Sequence, residues 1–119
     1  MKKILVIEDN EQNLYLIRFI LQKNGYKVLE ARTGEAGVEA AAAEKPDLIL
    51  MDIQLPDIDG YEATKRIKCA SESCTAPIIA ITSYAMTGDR EKSLAAGCSG
   101  YIEKPINPET VMDEISAYI

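Results

Sequence analysis

The segment LILMDIQLPDIDG, residues 48–60, contains an apolar run that ends on Asp52. A short continuous apolar run is typical of a strand that is covered on both faces in a parallel sheet. A carboxylate at the end of such a strand is costly to bury unless it is paired or bound to a metal. Asp52 is therefore a candidate functional residue. Asp57 and Asp59 follow in a loop flanked by proline and glycine, and we interpret them as turn or cap residues.

Four further apolar runs resemble the one that precedes Asp52, and helical patterns separate them. The five predicted strands are KILVI (3–7), YKVLEA (26–31), DLILM (47–51), PIIAI (77–81) and GYI (100–102). The second run is mixed in polarity, as expected of an edge strand. Strands that alternate with helices imply parallel pairing and right-handed crossovers. The sequence therefore predicts a single domain over residues 1–119, a (βα)₅ doubly wound three-layer sandwich with a five-stranded parallel sheet.

Four of the five predicted helices, all but the third, have a local start or stop signal. The first carries the apolar stripe Leu14, Ile17 and Leu21 and stops at Asn24-Gly25. The second runs from a Thr33 cap to before Pro46. The others cover about 60–70, 85–96 and 107–118; Gly97 closes the fourth, and Asn107-Pro108 opens the fifth.

Composition narrows the function classes. The chain has 119 residues, 47% of them hydrophobic, and a formal net charge of -6, so a direct nucleic-acid partner is not expected. No apolar run approaches the roughly 20 residues that span a bilayer, and the first one is too short for a secretion signal. We therefore expect no membrane partner and a cytoplasmic location. There is no histidine, and the three cysteines have no zinc-site spacing.

Reactive side chains cluster where the predicted strands end. Ligands of open α/β sheets bind outside the carboxyl ends of the strands. The residues that follow the runs are Glu8 and Asp9, then Asp52, then Thr82 and Ser83, then Glu103 and Lys104. Several carboxylates in one pocket call for a cation, and an all-oxygen site with few ligands suits Mg²⁺.

This set of groups indicates phosphoryl chemistry. A carboxylate can attack phosphorus to form an acyl phosphate, while Lys104 and the Thr82 hydroxyl can bind phosphoryl oxygens. Neither a Walker motif nor a G-x-G-x-x-G loop is present, so nucleotide binding through these loops is not supported.

Over essentially its whole length, the chain resembles the receiver domain of two-component response regulators, the CheY-like family. The resemblance rests on LVIEDN (5–10), DLILMDIQLPDIDGYE (47–62), PIIAITSYA (77–85) and GYIEKPI (100–106). Within the family, the chain looks most like stand-alone receivers of the DivK type and the receivers of hybrid kinases. The resemblance implies the flavodoxin-like strand order 2-1-3-4-5.

The resemblance also implies a role for each matching residue. Asp52 would accept a phosphoryl group from a phosphohistidine on a histidine kinase or a histidine phosphotransfer protein. Mg²⁺, or Mn²⁺ in its place, would be bound by Asp9, by Asp52 and by the backbone carbonyl of Gln54, with Glu8 acting through water. Thr82 and Lys104 would hold the phosphoryl oxygens.

Further implied roles concern switching and lifetime. Tyr101 would rotate together with Thr82. Gln54 and Tyr84 would tune the lifetime of the acyl phosphate. The Lys104-Pro105 peptide bond would be cis. We expect bulky Tyr84 to shield the acyl phosphate, so Tyr84→Ala should decay faster. The responsive face would be helix 85–96, strand 100–102 and helix 107–118, where a downstream protein would dock, and the chain would be a monomer or a weak homodimer.

Two other readings remain open. A receiver fold can serve as a phosphorylation-independent scaffold, although the full set of reactive residues argues against that here. A haloacid-dehalogenase-like phosphatase also forms an aspartyl phosphate, but a resemblance to that class would require a D-x-D motif after the first strand. Here Asp52 follows the third run, and Gln54 stands two residues later. The leading expectation is a phosphoacceptor with self-catalysed phosphorylation and dephosphorylation, no external substrate and no output domain in this chain.

Overall fold

A computed structural model describes residues 2–70, 76–82, 89–104 and 106–119. Strands and helices alternate along the chain as predicted. The elements are β1 (Lys3–Ile7), α1 (Glu11–Lys23), β2 (Lys27–Ala31), α2 (Gly34–Glu44), β3 (Leu48–Asp52), α3 (Gly60–Ala70), β4 (Ile78–Thr82), α4 (Asp89–Ala96), β5 (Gly100–Glu103) and α5 (Val111–Ser116). All strand pairs are parallel, and the sheet order is β2-β1-β3-β4-β5, which confirms the predicted fold class and order.

The core lies on both faces of the sheet, because successive side chains of a strand point to opposite sides. Ile4 and Val6 of β1 belong to a cluster with α1 and α5, whereas Leu5 and Ile7 belong to a cluster with α2 and α3. Every residue of β3 and β4 is buried, as expected of central parallel strands. The apolar runs thus place β3 at the centre, with Asp52 as its last residue.

Polar side chains cap the first two helices, and of these two caps the sequence predicted the one at Thr33. The Asn10 side chain accepts a hydrogen bond from the Asn13 N–H at the start of α1. Thr33 Oγ1 accepts from the Ala36 N–H at 3.0 Å at the start of α2. Gly25 follows α1 with a φ of 85°, a conformation that glycine adopts without strain.

The fifth helix is shorter than predicted. It begins at Val111 and ends at Ser116 instead of covering 107–118. The Asn107 side chain accepts from the Glu109 N–H at 2.9 Å and its carbonyl accepts from the Val111 N–H. The side-chain bond of Asn107 to the N–H two residues later is an Asx-turn bond, and it competes with the bond that a helix cap would make. Residues 108–110 therefore form a turn that precedes the helix.

The fourth helix is described from Asp89 to Ala96. Residues 85–88 of the predicted segment 85–96 lie outside the described residues, as do Ser83, Tyr84 and Pro105. In the part of the chain that the structure covers, no helix combines the length and the apolar character needed to cross a bilayer.

Candidate functional site

The carboxyl edge of the sheet brings together residues from four strands. Glu8 follows β1, Asp52 ends β3, Thr82 ends β4 and Lys104 follows β5. The pairing of Ile7 with Met51 places Glu8 beside Asp52. This is the convergence that the sequence predicted. Glu103, also expected at this edge, pairs with Thr82 as the last residue of β5 and is exposed.

Glu8, Asp9 and Asp52 form a compact acidic cluster. One carboxylate oxygen from each of the three lies within 4.8 Å of the others. Glu8 and Asp52 are buried, with 1% and 2% of their surface exposed, whereas Asp9 is exposed. The cluster therefore has two oxygen donors at its base and one at its rim.

Lys104 supplies positive charge to this cluster. Its Nζ lies 3.2 Å from Glu8 Oε2 and 3.3 Å from Asp52 Oδ1, and its side chain is largely buried. The Asp52 carboxylate also accepts a hydrogen bond from the Gln54 backbone N–H at 3.2 Å. One ammonium group thus partly offsets two buried carboxylates.

The electrostatics of Glu8 suit the binding of a cation. Burial and the neighbouring Asp52 carboxylate raise the pKa of Glu8 to about 7, although Lys104 acts in the opposite direction. Glu8 Oε2 lies at ion-pair distance from Lys104 but has no hydrogen-bond partner among the described residues. A buried oxygen of this kind, within a cluster made only of carboxylates, fits a hard divalent cation such as Mg²⁺.

Thr82 of β4 and Tyr101 of β5 lie on the two neighbouring strands that lead to this edge. Thr82 is 1% exposed, and its carbonyl accepts from the Lys104 N–H at 2.7 Å. Tyr101 pairs with Ala80, two residues before Thr82, and is half-buried against the core cluster that contains α2 and α3. Lys104 and Thr82 are therefore linked through the backbone, and Tyr101 lies along the same two strands.

The acidic cluster lies in an open cleft of about 680 Å³. Gln54 lines this cleft, while its roles in metal binding and in acyl-phosphate lifetime stay predictions. Three polar residues at the start of α1 also line the cleft and were not predicted from the sequence: Asn10, Glu11 and Asn13. Their position directly after Glu8-Asp9 was the available signal, because the first turn of a helix that follows a strand borders the strand's carboxyl end.

Asp57 and Asp59 lie in the loop that leads from Asp52 to α3, and both are caps. Asp59 Oδ1 accepts from the Glu62 N–H at 2.8 Å and so caps α3. Asp57 instead caps α2, through the backbone N–H groups of Gly34 and Glu35. The structural interpretation of both aspartates is confirmed, but the helix that Asp57 caps was not predicted.

Three predicted roles fall on residues outside the described part of the chain. These are the place of Ser83 after β4 at this edge of the sheet, the lifetime role of Tyr84 and the cis geometry of the Lys104-Pro105 peptide bond. All three stay predictions.

Comparison with known proteins extends over nearly the whole chain. A family model described as the response regulator receiver domain matches residues 4–116. The polar-differentiation response regulator DivK of Brucella anthropi is 41% identical over 118 residues, which cover 99% of this chain and 96% of that relative.

Two solved structures illustrate the likeness in three dimensions. The receiver domain of the sensor histidine kinase PA1611 from Pseudomonas aeruginosa, which has a magnesium ion coordinated in its active site cleft, is 37% identical with a TM-score of 0.89, covering 98% of this chain and 96% of that one. The chemotaxis protein CheY4 of Vibrio cholerae is 27% identical with a TM-score of 0.93, covering 100% of this chain and 99% of that one.

Proposed function

Because the chain belongs to the response regulator receiver domain family of two-component signalling, we propose that Asp52 is its phosphoacceptor. The observation that carries this proposal is the position of Asp52: it is buried at the base of the cleft, in one cluster with Glu8 and Asp9, and lies 3.3 Å from the Lys104 ammonium. A carboxylate held between a cation and a metal-binding cluster suits attack on a highly charged phosphoryl group.

In the proposed reaction, an Asp52 carboxylate oxygen forms a bond to phosphorus while the bond from phosphorus to the donor histidine nitrogen breaks. The electron pair of the broken bond stays on the imidazole nitrogen of the partner kinase or phosphotransfer protein. Lys104 stabilises the negative charge of the transferred group, and the Thr82 hydroxyl donates to one of its oxygens. Asp9, Asp52 and the Gln54 carbonyl would hold Mg²⁺, and the ion would supply positive charge that offsets the charge of the phosphoryl oxygens.

The same residues suit a switch. A phosphoryl group adds about -1.5 to -2 charge and new acceptor oxygens. Attraction of the Thr82 side chain toward these oxygens biases the conformation of β4 and β5. The two strands move together because the Thr82 carbonyl accepts a hydrogen bond from the Lys104 N–H and Thr82 pairs with Glu103 of β5. Leu94 on α4 and Tyr118 after α5 are large apolar side chains that are exposed on the proposed responsive face. A downstream protein would dock there.

A direct test is incubation with Mg²⁺ and a small phosphodonor such as acetyl phosphate, followed by intact-mass measurement. We expect a single acid-labile phosphoryl adduct that disappears in Asp52→Asn. Asp59→Asn is the matched control, because it changes an aspartate of the same segment and keeps a good cap residue.

Other outcomes separate the alternatives. An adduct that persists in Asp52→Asn would remove Asp52 from its proposed role. Absence of any adduct in the Mg²⁺-bound wild type would favour the phosphorylation-independent scaffold. Steady turnover of diverse phosphoesters would identify a phosphatase and contradict the expectation that no external substrate exists.

A further inference from the structure

The loop after Asp52, residues 53–59, is bonded to the start of α2. Asp57 Oδ1 accepts from the Gly34 N–H at 2.7 Å, and Oδ2 accepts from the Glu35 N–H at 2.9 Å. These N–H groups belong to the first residues of α2, which have no partner inside the helix. One carboxylate from a distant part of the chain therefore satisfies two helix donors, and we call this pair of bonds the Asp57 tie.

Close packing accompanies the Asp57 tie. A Cβ atom at Gly34 would overlap Ile58 Cγ1, so Ile58 sits where any other residue at position 34 would place a side chain. Ile58 is also half-buried against the core cluster that contains α2 and α3. The loop is thus attached to α2 by both hydrogen bonds and packing.

The other end of the loop is closed on the sheet. The Ile53 N–H donates to the Ile81 carbonyl of β4 at 3.1 Å, and the Gly60 N–H donates to the Ile53 carbonyl at 2.8 Å. Gln54, whose N–H donates to Asp52 Oδ1, lies between this closure and the Asp57 tie. Its position at the cleft therefore depends on how both ends are held.

We propose that Asp57 is a positioning residue, whose tie to α2 holds the Gln54 segment in place at the cleft. The inference rests on the proposed function, since it gives the Gln54 carbonyl a part in Mg²⁺ binding. The hydrogen bonds from Glu35 and Gly34 lower the pKa of Asp57 to about 2, so the tie carries a full charge near neutral pH. A negative charge is favourable at a helix N-terminus.

The expected effect is on metal affinity. Partners that orient a metal ligand typically change affinity by 10–100-fold. Because Asp57 acts on Gln54 through the loop and not by direct contact, we expect its loss to raise the Mg²⁺ dissociation constant about 10-fold, the lower end of this range.

The test compares Asp57→Ala with Thr33→Ala. Thr33 also caps the start of α2, through the Ala36 N–H, but the described bonds of its side chain do not involve the loop. Two quantities are measured for each: the exchange rate of the Gln54 amide in the metal-free protein, and the Mg²⁺ dissociation constant by isothermal titration calorimetry. We expect faster exchange and weaker Mg²⁺ binding in Asp57→Ala, and values close to wild type in Thr33→Ala.

Equal exchange rates and equal dissociation constants in the two variants would overturn the proposal, because Asp57 would then only stabilise α2. If Asp57→Ala does not fold, Asp57→Asn serves instead; it keeps one acceptor oxygen, so an intermediate loss is expected and wild-type behaviour overturns the proposal. Failure of the wild type to accept a phosphoryl group would count against the proposed function alone, since the amide exchange tests the Asp57 tie without metal or phosphate.

Discussion

The ammonium nitrogen of Lys104 lies 3.3 Å from Oδ1 of Asp52, although Lys104 follows β5, Asp52 ends β3, and β4 separates these two strands in the sheet. The lysine side chain therefore reaches across the carboxyl end of a whole strand. It also contacts Glu8, so a single cation is shared between two carboxylates that are almost completely buried. The site is consequently sensitive to the loss of this one charge.

Lys104→Met should destabilise the metal-free protein near neutral pH by about 2 kcal/mol, because methionine keeps an apolar stem but leaves two buried carboxylates without their cation. Mg²⁺ should bind more tightly to this variant, since no fixed cation then competes for the cluster. Urea unfolding with and without Mg²⁺ measures both effects. Lys65→Met, which removes an exposed lysine of α3, is the control, and identical unfolding midpoints for the two variants would refute the prediction.

Gly60→Ala should cost about 3 kcal/mol of unfolding free energy, since a Cβ at position 60 would lie 2.5 Å from the Asp52 carbonyl oxygen and 2.7 Å from Ile53 Cα. Backbone atoms cannot move aside without displacing Asp52. Gly100→Ala is the matched control: its Cβ would meet the outer end of the Tyr118 ring at 2.6 Å, and that side chain can swing away. Thermal unfolding compares the two, and an equal or larger loss in Gly100→Ala would contradict this explanation.

Asp59→Ala should lower the free energy of unfolding by about 1 kcal/mol, the usual effect of removing a helix cap. Its carboxylate accepts from the Glu62 N–H at the start of α3, and Asn at this position can accept the same bond. Asp59→Asn should therefore unfold close to the wild type in urea. A loss in Asp59→Asn as large as that in Asp59→Ala would show that charge, and not capping, sets the effect.

The sheet and the location of the site could be predicted from the sequence, because both depend on short-range signals. Uninterrupted apolar runs identify central strands, and parallel topology then sends Glu8, Asp52, Thr82 and Lys104 to one edge. β1 and β2 end at the predicted residues, whereas β3, β4 and β5 each end one residue later, so that Asp52 closes β3 and does not follow it. That difference leaves the site where it was expected.

The Asp57 tie and the start of α5 could not be predicted in the same way. A loop aspartate signals a cap, but sequence proximity gives no indication that Asp57 reaches the N–H groups of Gly34 and Glu35. Likewise, Asn107-Pro108 is a good helix start, yet the side chain of Asn107 can bond either two or three residues ahead. Tertiary packing decides between such options, and local pattern does not.

Metal-free stability should fall as the pH rises from about 5 to 8, because of Glu8. Burial and Asp52 raise the pKa of Glu8 from 4.5 to about 7 in the folded state. The folded protein thus retains a proton that the unfolded chain has already released. This stabilisation is complete below about pH 4.5 and is lost as the pH passes through 7, so the sign is a decrease with rising pH.

Glu8→Gln should remove this part of the pH dependence, because glutamine does not titrate. Glu11→Gln is the control at the same cleft, since Arg32 lowers the pKa of Glu11 and its charge is constant over this range. Urea unfolding at a series of pH values measures how the free energy of unfolding changes with pH in each variant.

Mg²⁺ at about 100 times its dissociation constant should add about 2.7 kcal/mol to the free energy of unfolding of the wild type. The Mg²⁺ dissociation constant should fall with rising pH, because a metal binds the ionised carboxylate. If Glu8→Gln kept the wild-type slope, or if Mg²⁺ affinity were independent of pH, Glu8 would not be the group that holds the proton.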